Sequence, residues 1–261
     1  MTETERLDIE VTRRGLASSR EKARAIIMAG EVLVNGQRAD KPGMRVAVTS
    51  EILVKTKPRF VSRGGEKLAA AIERFSIPVL GAVCADVGAS TGGFTDCLIQ
   101  NGASKVYAID VGYGHLDLKL RNDPKVVVME RTNARYLEHL PEIVGLVVMD
   151  ASFISTRLLL PVALNWMTET AQAVVLVKPQ FEAGRHDVGK GGVVRDKGIH
   201  TRVVREAAEF ARSIGLETLG ILRSPLTGPA GNIEFLLWLS RCPSPTPLDL
   251  ASAVEGAVHG T

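Results

Sequence analysis

The chain has 261 residues, of which 45% are hydrophobic and 23% charged, with a formal net charge of +3; this is the balance of an ordinary globular protein with room for a small domain beside a larger one. No apolar run reaches the roughly 18 residues that cross a bilayer, and the opening segment mixes acids and bases where an export signal would run from basic to apolar. Cys84, Cys97 and Cys242 lie too far apart for a disulfide framework or a zinc site, so a cytoplasmic protein with no metal and no membrane partner is expected.

The charge is unevenly placed: residues 1–61 hold 12 Lys/Arg against 8 Asp/Glu, a net of +4, which leaves 20 against 21 for residues 62–261. Such a split suggests a basic tether for a polyanion joined to a near-neutral body. Leu7 and Val11 suggest a short helix ending at Gly15. Ser18 and Glu21 read as a capping box for a second helix, whose Ala23, Ile26, Ile27 and Ala29 keep helical spacing up to Gly30. Val32-Leu33-Val34 then enters a tight turn at Asn35-Gly36, with Val46 to Val48 and Ile52 to Val54 as returning strands. Two helices against a small sheet make residues 1–55 a compact α+β domain.

The run Arg6-Leu7-Asp8, Arg14 to Arg20, Ala23, Ile27 and Gly30 to Gly36 resembles the small RNA-binding domain named after the fourth small-subunit ribosomal protein. In that family basic positions of the second helix contact RNA phosphates, and by position the resemblance assigns this task to Arg13, Arg14, Arg20, Lys22 and Arg24. Phosphate contacts give affinity without sequence choice. Without the resemblance, the same charges read as a solvated helix face.

Residues 56–62 have the charge and proline of a linker. Arg63 to Phe75 reads as a helix with Leu68, Ile72 and Phe75 on one face and Lys67 near its start. Next comes Val83 to Phe94, an apolar run that ends in a glycine-rich turn and leads into a helix. Glycines there let a backbone approach a ligand closely. A dinucleotide fingerprint would need a glycine where Ser90 stands, and a triphosphate loop would need a lysine where Phe94 stands. What survives is a strand ending at Asp86, a glycine loop, and a second strand ending at Asp110 where a ribose diol could be held, the layout of an S-adenosylmethionine site. A plain α/β turn remains the alternative at this point.

Beyond the loop, strands are predicted near 105–110, 125–129, 145–150, 173–178, 216–222 and 233–239, with helices around 92–101, 114–121, 155–166 and 199–214. The alternation predicts a doubly wound, mostly parallel sheet over residues 63–242, with ligands beyond the carboxyl ends of its strands. Asp86, Asp110, Asp150 and Lys178 all fall at such ends. Residues 180–196 are too long and glycine-rich for an ordinary connection and read either as a loop that closes over RNA or cofactor or as a flexible surface loop. Residues 243–261 read as a proline-stiffened tail with a short apolar helix.

Methylation of a ribose hydroxyl needs a bound methyl donor, an aligned oxygen, and a group that takes a weakly acidic proton. A lysine can do this only as the neutral amine, a form that partial burial or a second ammonium nearby favours. Lys67 and Lys178 are candidates for such a pair. The order Lys67, Asp150, Lys178, Glu234 resembles the K-D-K-E set of FtsJ-like 2′-O-methyltransferases. Ser62 to Leu68, Asp86 to Thr95, Asp110 to Gly114, Glu130 to Arg135, Asp150 to Ser155, Lys178 to Glu182 and Gly231 to Glu234 together resemble TlyA-type proteins, historically labelled haemolysin A, over residues 5–240. The resemblance implies an S-adenosylmethionine-dependent ribosomal RNA cytidine 2′-O-methyltransferase acting on ribosomal RNA or ribosomal subunits. By the same resemblance, Asp86, Gly88, Ala89, Ser90, Thr91, Gly92, Gly93, Phe94, Asp110, Asn133 and Asp150 line the cofactor site, and Lys67, Asp150, Lys178 and Glu234 are catalytic. The other readings are a ribosomal RNA assembly factor without turnover and a membrane-lytic haemolysin.

Overall fold

The computed structural model describes residues 3–54 and 58–260. The chain divides into two compact units, Met1–Pro58 and Arg59–Thr261. Each has its own core.

In the first unit β1 (Thr4–Arg6) runs into α1 (Leu7–Arg13), followed by α2 (Arg20–Met28), β2 (Val32–Val34), β3 (Gln37–Ala39), β4 (Arg45–Ala47) and β5 (Ile52–Val54). Leu7 and Val11 of α1 and Ala23 and Ile27 of α2 pack against Val32, Val46 and Ile52. The strands form two small antiparallel sheets, β1 with β4, and β3-β2-β5. The returning strands therefore part company: Val46 pairs with Glu5, while Ile52 pairs with Val34. The second helix is capped one residue later than predicted. Ser19 has extended backbone and its Oγ accepts from the Lys22 amide at 3.2 Å, which makes Glu21 the second helical residue and removes the reciprocal bond of a capping box.

The second unit contains α3 (Gly64–Phe75), β6 (Val83–Val87), α4 (Gly93–Gln100), β7 (Lys105–Ile109), α5 (Leu118–Arg121), β8 (Val126–Met129), β9 (Val144–Met149), α6 (Thr156–Ala163), β10 (Met167–Val177), α7 (Pro179–Glu182), α8 (Lys197–Ser213), β11 (Glu217–Arg223), β12 (Phe235–Ser240) and α9 (Leu250–His259). One sheet of seven strands, in the order β11-β12-β10-β9-β6-β7-β8, is parallel except where β12 lies antiparallel between β11 and β10. Alternating strand residues serve opposite faces, as a pleat requires. Ala85, Val147 and Val175 join the core beneath α6, α8 and α9, whereas Cys84, Leu146 and Val174 join the core beneath α3 and α4. A sheet buried on both faces explains the near-continuous apolar runs of its strands.

Two predicted boundaries move. Within the segment read as a linker, Thr56 and Lys57, with Lys55 before them, lie outside the described residues. Phe60, however, is 2% exposed and packs so closely on α3 that a Cβ on Gly65 would stand 2.3 Å from its ring. The Val61 amide donates to Asp96 Oδ2 at 2.9 Å, so residues 59–62 are held by the second unit. The segment read as a tail also belongs to that unit: α9 buries Val254, Ala257 and Val258 in the core shared with α8. The helix predicted over 114–121 shrinks to the single turn of α5, which Asp117 caps through the Lys119 amide.

Candidate active site

The sheet changes its winding direction between β6 and β9, where the connections leaving neighbouring strands diverge and open a crevice. Two adjoining cavities of about 390 and 290 Å³ lie there and share Gly88, Ser90, Asp150 and Ser152. Gly88 lets the loop after β6 lie against the end of β9: its φ is +84°, and a Cβ would stand 2.8 Å from the Asp150 carbonyl oxygen. The Gly88 and Ala89 amides donate to the Ile109 carbonyl, and the Asp150 amide to that of Val87, which ties the ends of β6, β7 and β9 together.

Asp110, just past β7, lines the first cavity. Its Oδ2 accepts from the Ser90 amide and its Oδ1 from the Gly112 amide, both at 2.7 Å. Each carboxylate oxygen keeps a further lone pair for a ligand hydroxyl. Asn133 lines the same cavity and caps the turn at Ala134–Tyr136 by accepting from the Arg135 amide at 3.0 Å. Of the glycine loop, Ala89, Thr91, Gly93 and Phe94 line the second cavity.

Lys67, Asp150, Lys178 and Glu234 come from four different elements and meet in that second cavity. Lys67 Nζ pairs with Glu234 Oε2 at 2.5 Å, and Lys178 Nζ pairs with Asp150 Oδ1 at 2.7 Å while donating to Ser152 Oγ at 2.8 Å. Lys67 and Lys178 are each 8% exposed and Glu234 1%. Charges so buried would cost several kcal/mol apiece without partners, which explains why they occur as pairs. The loops after β9 and β10 are clasped again farther out. Glu182 accepts from Ser155 Oγ at 2.6 Å and from the Thr156 amide at 2.8 Å, and the Phe181 and Phe153 rings lie 5.0 Å apart.

Two residues expected at the cofactor stand behind the cavity walls. Asp86 is fully buried within β6, where Thr95 Oγ1 donates to its Oδ2 at 2.6 Å, and burial, aided by the charges of Asp150 and Asp110, raises its carboxyl to about 7. Gly92, at φ +94°, makes room for α5, since a Cβ there would stand 2.3 Å from Leu120. Ser152 and Glu182 were absent from the predicted set. The clue available was their membership in the same motifs as Asp150 and Lys178.

In the first unit, two fully buried carboxylates organise the arginines. Asp8 accepts from Arg6 and Arg20, and Glu10 from Arg13 and Arg14. The hydrogen bond from Arg6 leads the effects that lower the Asp8 carboxyl to about 2, and that from Arg13 leads those that lower Glu10. Arg13 and Arg14 close the first helix, not the second, and Arg14 is turned inward to the carbonyls of Val48 and Ser50. Arg20, Lys22 and Arg24 are exposed on α2.

The sequence profile described as FtsJ-like methyltransferase matches residues 60–241, and that described as S4 domain matches residues 5–52. A Mycobacterium tuberculosis protein named 16S/23S rRNA (cytidine-2′-O)-methyltransferase TlyA is 48% identical over 99% of this chain and 97% of its own. A Campylobacter jejuni protein named 23S rRNA (cytidine-2′-O)-methyltransferase TlyA is 31% identical over 89% of this chain and 98% of its own. A solved structure from Streptococcus thermophilus, carried under a provisional hemolysin name, is 41% identical with a TM-score of 0.75, covering 100% of this chain and 96% of that one. With its catalytic profile matched over most of the sequence and its relatives matched nearly end to end, the chain belongs to the TlyA family of FtsJ-like methyltransferases, with an S4 domain at its start.

Proposed function

We propose that the chain transfers a methyl group from S-adenosylmethionine to the 2′-hydroxyl of cytidine in ribosomal RNA. The observation that carries this reading is the meeting of two lysine–carboxylate pairs, both lysines buried, in a cavity that adjoins a second one bordered by Asp110. The first cavity suits the cofactor: its volume falls in the usual small-molecule range of about 300–1,000 Å³, Asp110 offers a carboxylate fixed by two amides, and Gly88 lets the loop that borders the cavity lie close against the end of β9. Asp110 would take the ribose diol, Asn133 would lie toward the adenine, and Gly88 and Ser90 would border the sulfur end. When bound, S-adenosylmethionine supplies an electrophilic methyl group on a sulfonium sulfur.

The second cavity holds the acceptor. Lys178, paired with Asp150 at rest, first releases a proton to solvent and then, still oriented by Asp150, takes the proton of the 2′-hydroxyl as the oxygen–methyl bond forms. Lys67, held by Glu234, remains an ammonium that donates to the ribose oxygens and offsets the charge developing there. The S4 domain supplies affinity through Arg20, Lys22 and Arg24 with Arg13 at its rim, and Arg14 shapes that surface from within. In this reading the protein works in the cytoplasm, on ribosomal subunits. Its higher identity to the relative named for both 16S and 23S RNA than to the one named for 23S RNA alone favours activity on both.

Ribose-methylation mapping of ribosomal RNA from cells with and without the gene tests the proposal. The expected result is loss of 2′-O-methylcytidine at discrete positions, restored by the wild-type chain and not by Lys178→Ala. An unchanged methylation map would contradict it.

A further inference from the structure

We propose that Ser152 is a positioning residue for the transfer, setting the direction in which the Lys178 amine meets the ribose hydroxyl; the inference rests on Lys178 acting as the base. Nζ of Lys178 has two polar partners: it is ion-paired with Asp150 Oδ1 at 2.7 Å and donates a hydrogen bond to Ser152 Oγ at 2.8 Å. A neutral lysine amine carries two N–H bonds and one lone pair, arranged tetrahedrally about nitrogen with the Cε bond. The hydrogen bond to Ser152, with the other hydrogen drawn toward the Asp150 carboxylate, fixes rotation about Cε–Nζ, so the lone pair keeps a single direction. With Asp150 alone, the amine can satisfy its acceptor with either hydrogen and the lone pair is shared between rotamers.

Lys67 makes the contrast. Among the described residues its Nζ has one polar partner, Glu234 Oε2 at 2.5 Å, which serves as both ion pair and hydrogen bond; this arrangement leaves the group free to turn and suits a donor better than a directed base. Location points the same way. Ser152 is one of four residues bordering both cavities, so its hydroxyl stands at the boundary where the donor's methyl group and the acceptor oxygen must meet. Its loop is firmly placed: Glu182 binds Ser155 and Thr156 just beyond, and the Asp150 amide is tied to Val87 just before. Ser152 itself is solvent-exposed, so its loss leaves the packing of the unit intact.

The test uses the full chain as wild type, Ser152→Ala, Ser152→Thr and Lys178→Ala, with labelled S-adenosylmethionine and ribosomal subunits lacking the modification. Turnover and KM for RNA are measured, and cofactor affinity is read separately by calorimetry. Misdirecting a reacting atom costs on the order of 10- to 100-fold in rate, so Ser152→Ala should lose about that much in kcat, with KM and cofactor affinity within about twofold. Ser152→Thr, which keeps the hydroxyl, should return kcat to within about threefold of wild type. Wild-type kcat in Ser152→Ala, equal losses in the Ala and Thr variants, or a loss confined to KM would each overturn the assignment. Full incorporation by Lys178→Ala, or none by wild type, would remove the parent reading instead, so the two failures are distinguishable.

Discussion

Asp86 and Asp8 are both buried carboxylates, yet their surroundings drive them in opposite directions, and pH separates them. Burial raises Asp86 from its ordinary 3.8 to about 7, so its fold-stabilising contribution is complete below pH 3.8 and is lost as the pH rises through 7. Asp86→Asn should therefore gain stability relative to wild type as the pH climbs from 4 to 8, a difference of a few kcal/mol at the upper end. The new amide beside the orphaned Oδ1 position adds a constant cost of about 1–3 kcal/mol, which leaves the slope as the readout in urea melts; parallel curves would show that Asp86 ionises in the fold as it does in the unfolded chain. Asp8 behaves conversely. Its carboxyl sits near 2, led by the hydrogen bond from Arg6, so its contribution is present above pH 3.8 and disappears as the pH falls through 2. Asp8→Asn should cost about 2 kcal/mol at pH 7 and nothing near pH 2, measured by hydrogen exchange within residues 3–54. At this scale the sequence was legible where a residue's place follows from type and position: Asp110, Asp150, Lys178 and Glu234 stand at strand ends or loop edges and line the two cavities. Ser152 was not, because a serine beside an aspartate carries no pattern of its own. Its role emerges only when Lys178, 26 residues on, turns toward it.

At the scale of elements, long apolar runs and helical periodicity gave nearly all of the large sheet and its helices. Two of the three-residue strands, β1 and β3, did not announce themselves. β1 consists of Thr4, Glu5 and Arg6, with no apolar alternation, and forms because β4 offers it a partner. β10 starts at Met167, well before the predicted 173, because Thr168, Glu169 and Thr170 are too polar to read as sheet and sit at an irregularity in its pairing with β9. The glycine-rich stretch over 180–196 proved to be anchored. Asn232, 2% exposed, accepts from the Val194 amide at 2.9 Å and donates to the Gly192 carbonyl at 2.8 Å, and His200 Nε2 contacts the Val194 carbonyl at 3.0 Å. Asn232→Ala should raise hydrogen exchange at Val194 by about 10-fold or more while leaving the β6–β9 amides protected, since each buried hydrogen bond is worth about 1 kcal/mol; exchange that stays slow would mean the loop is held by other contacts. At the glycine turn, Gly88→Ala forces both an unfavourable φ and a collision with the Asp150 carbonyl. It should weaken cofactor binding about 10-fold or more while costing about 1–3 kcal/mol of stability, with calorimetry and a urea melt as the two measurements.

For the whole molecule, division of labour between the units makes salt dependence diagnostic. Neutralising phosphates with Arg and Lys releases counterions, so affinity for ribosomal RNA should fall steeply with salt in the intact chain. Removing residues 1–58 should flatten that dependence by about one unit of logarithmic slope for each phosphate that the fragment no longer neutralises. Because Phe60 lies in the core of the second unit, the cut must precede Arg59 if cofactor affinity is to survive. A fragment that kept the full salt slope would move the RNA-binding role to Arg63, Arg185, Lys190 and Arg195. The claim that unites both units is methyl transfer to a cytidine 2′-oxygen with Lys178 as base. It is tested most directly by incubating the purified chain with methyl-labelled S-adenosylmethionine and ribosomal subunits from cells lacking the gene, then digesting the RNA to nucleosides. The label should appear in 2′-O-methylcytidine with wild type and be absent with Lys178→Ala, although that variant still binds cofactor and RNA. Label on a base or on another nucleoside, or undiminished label with Lys178→Ala, would contradict the account.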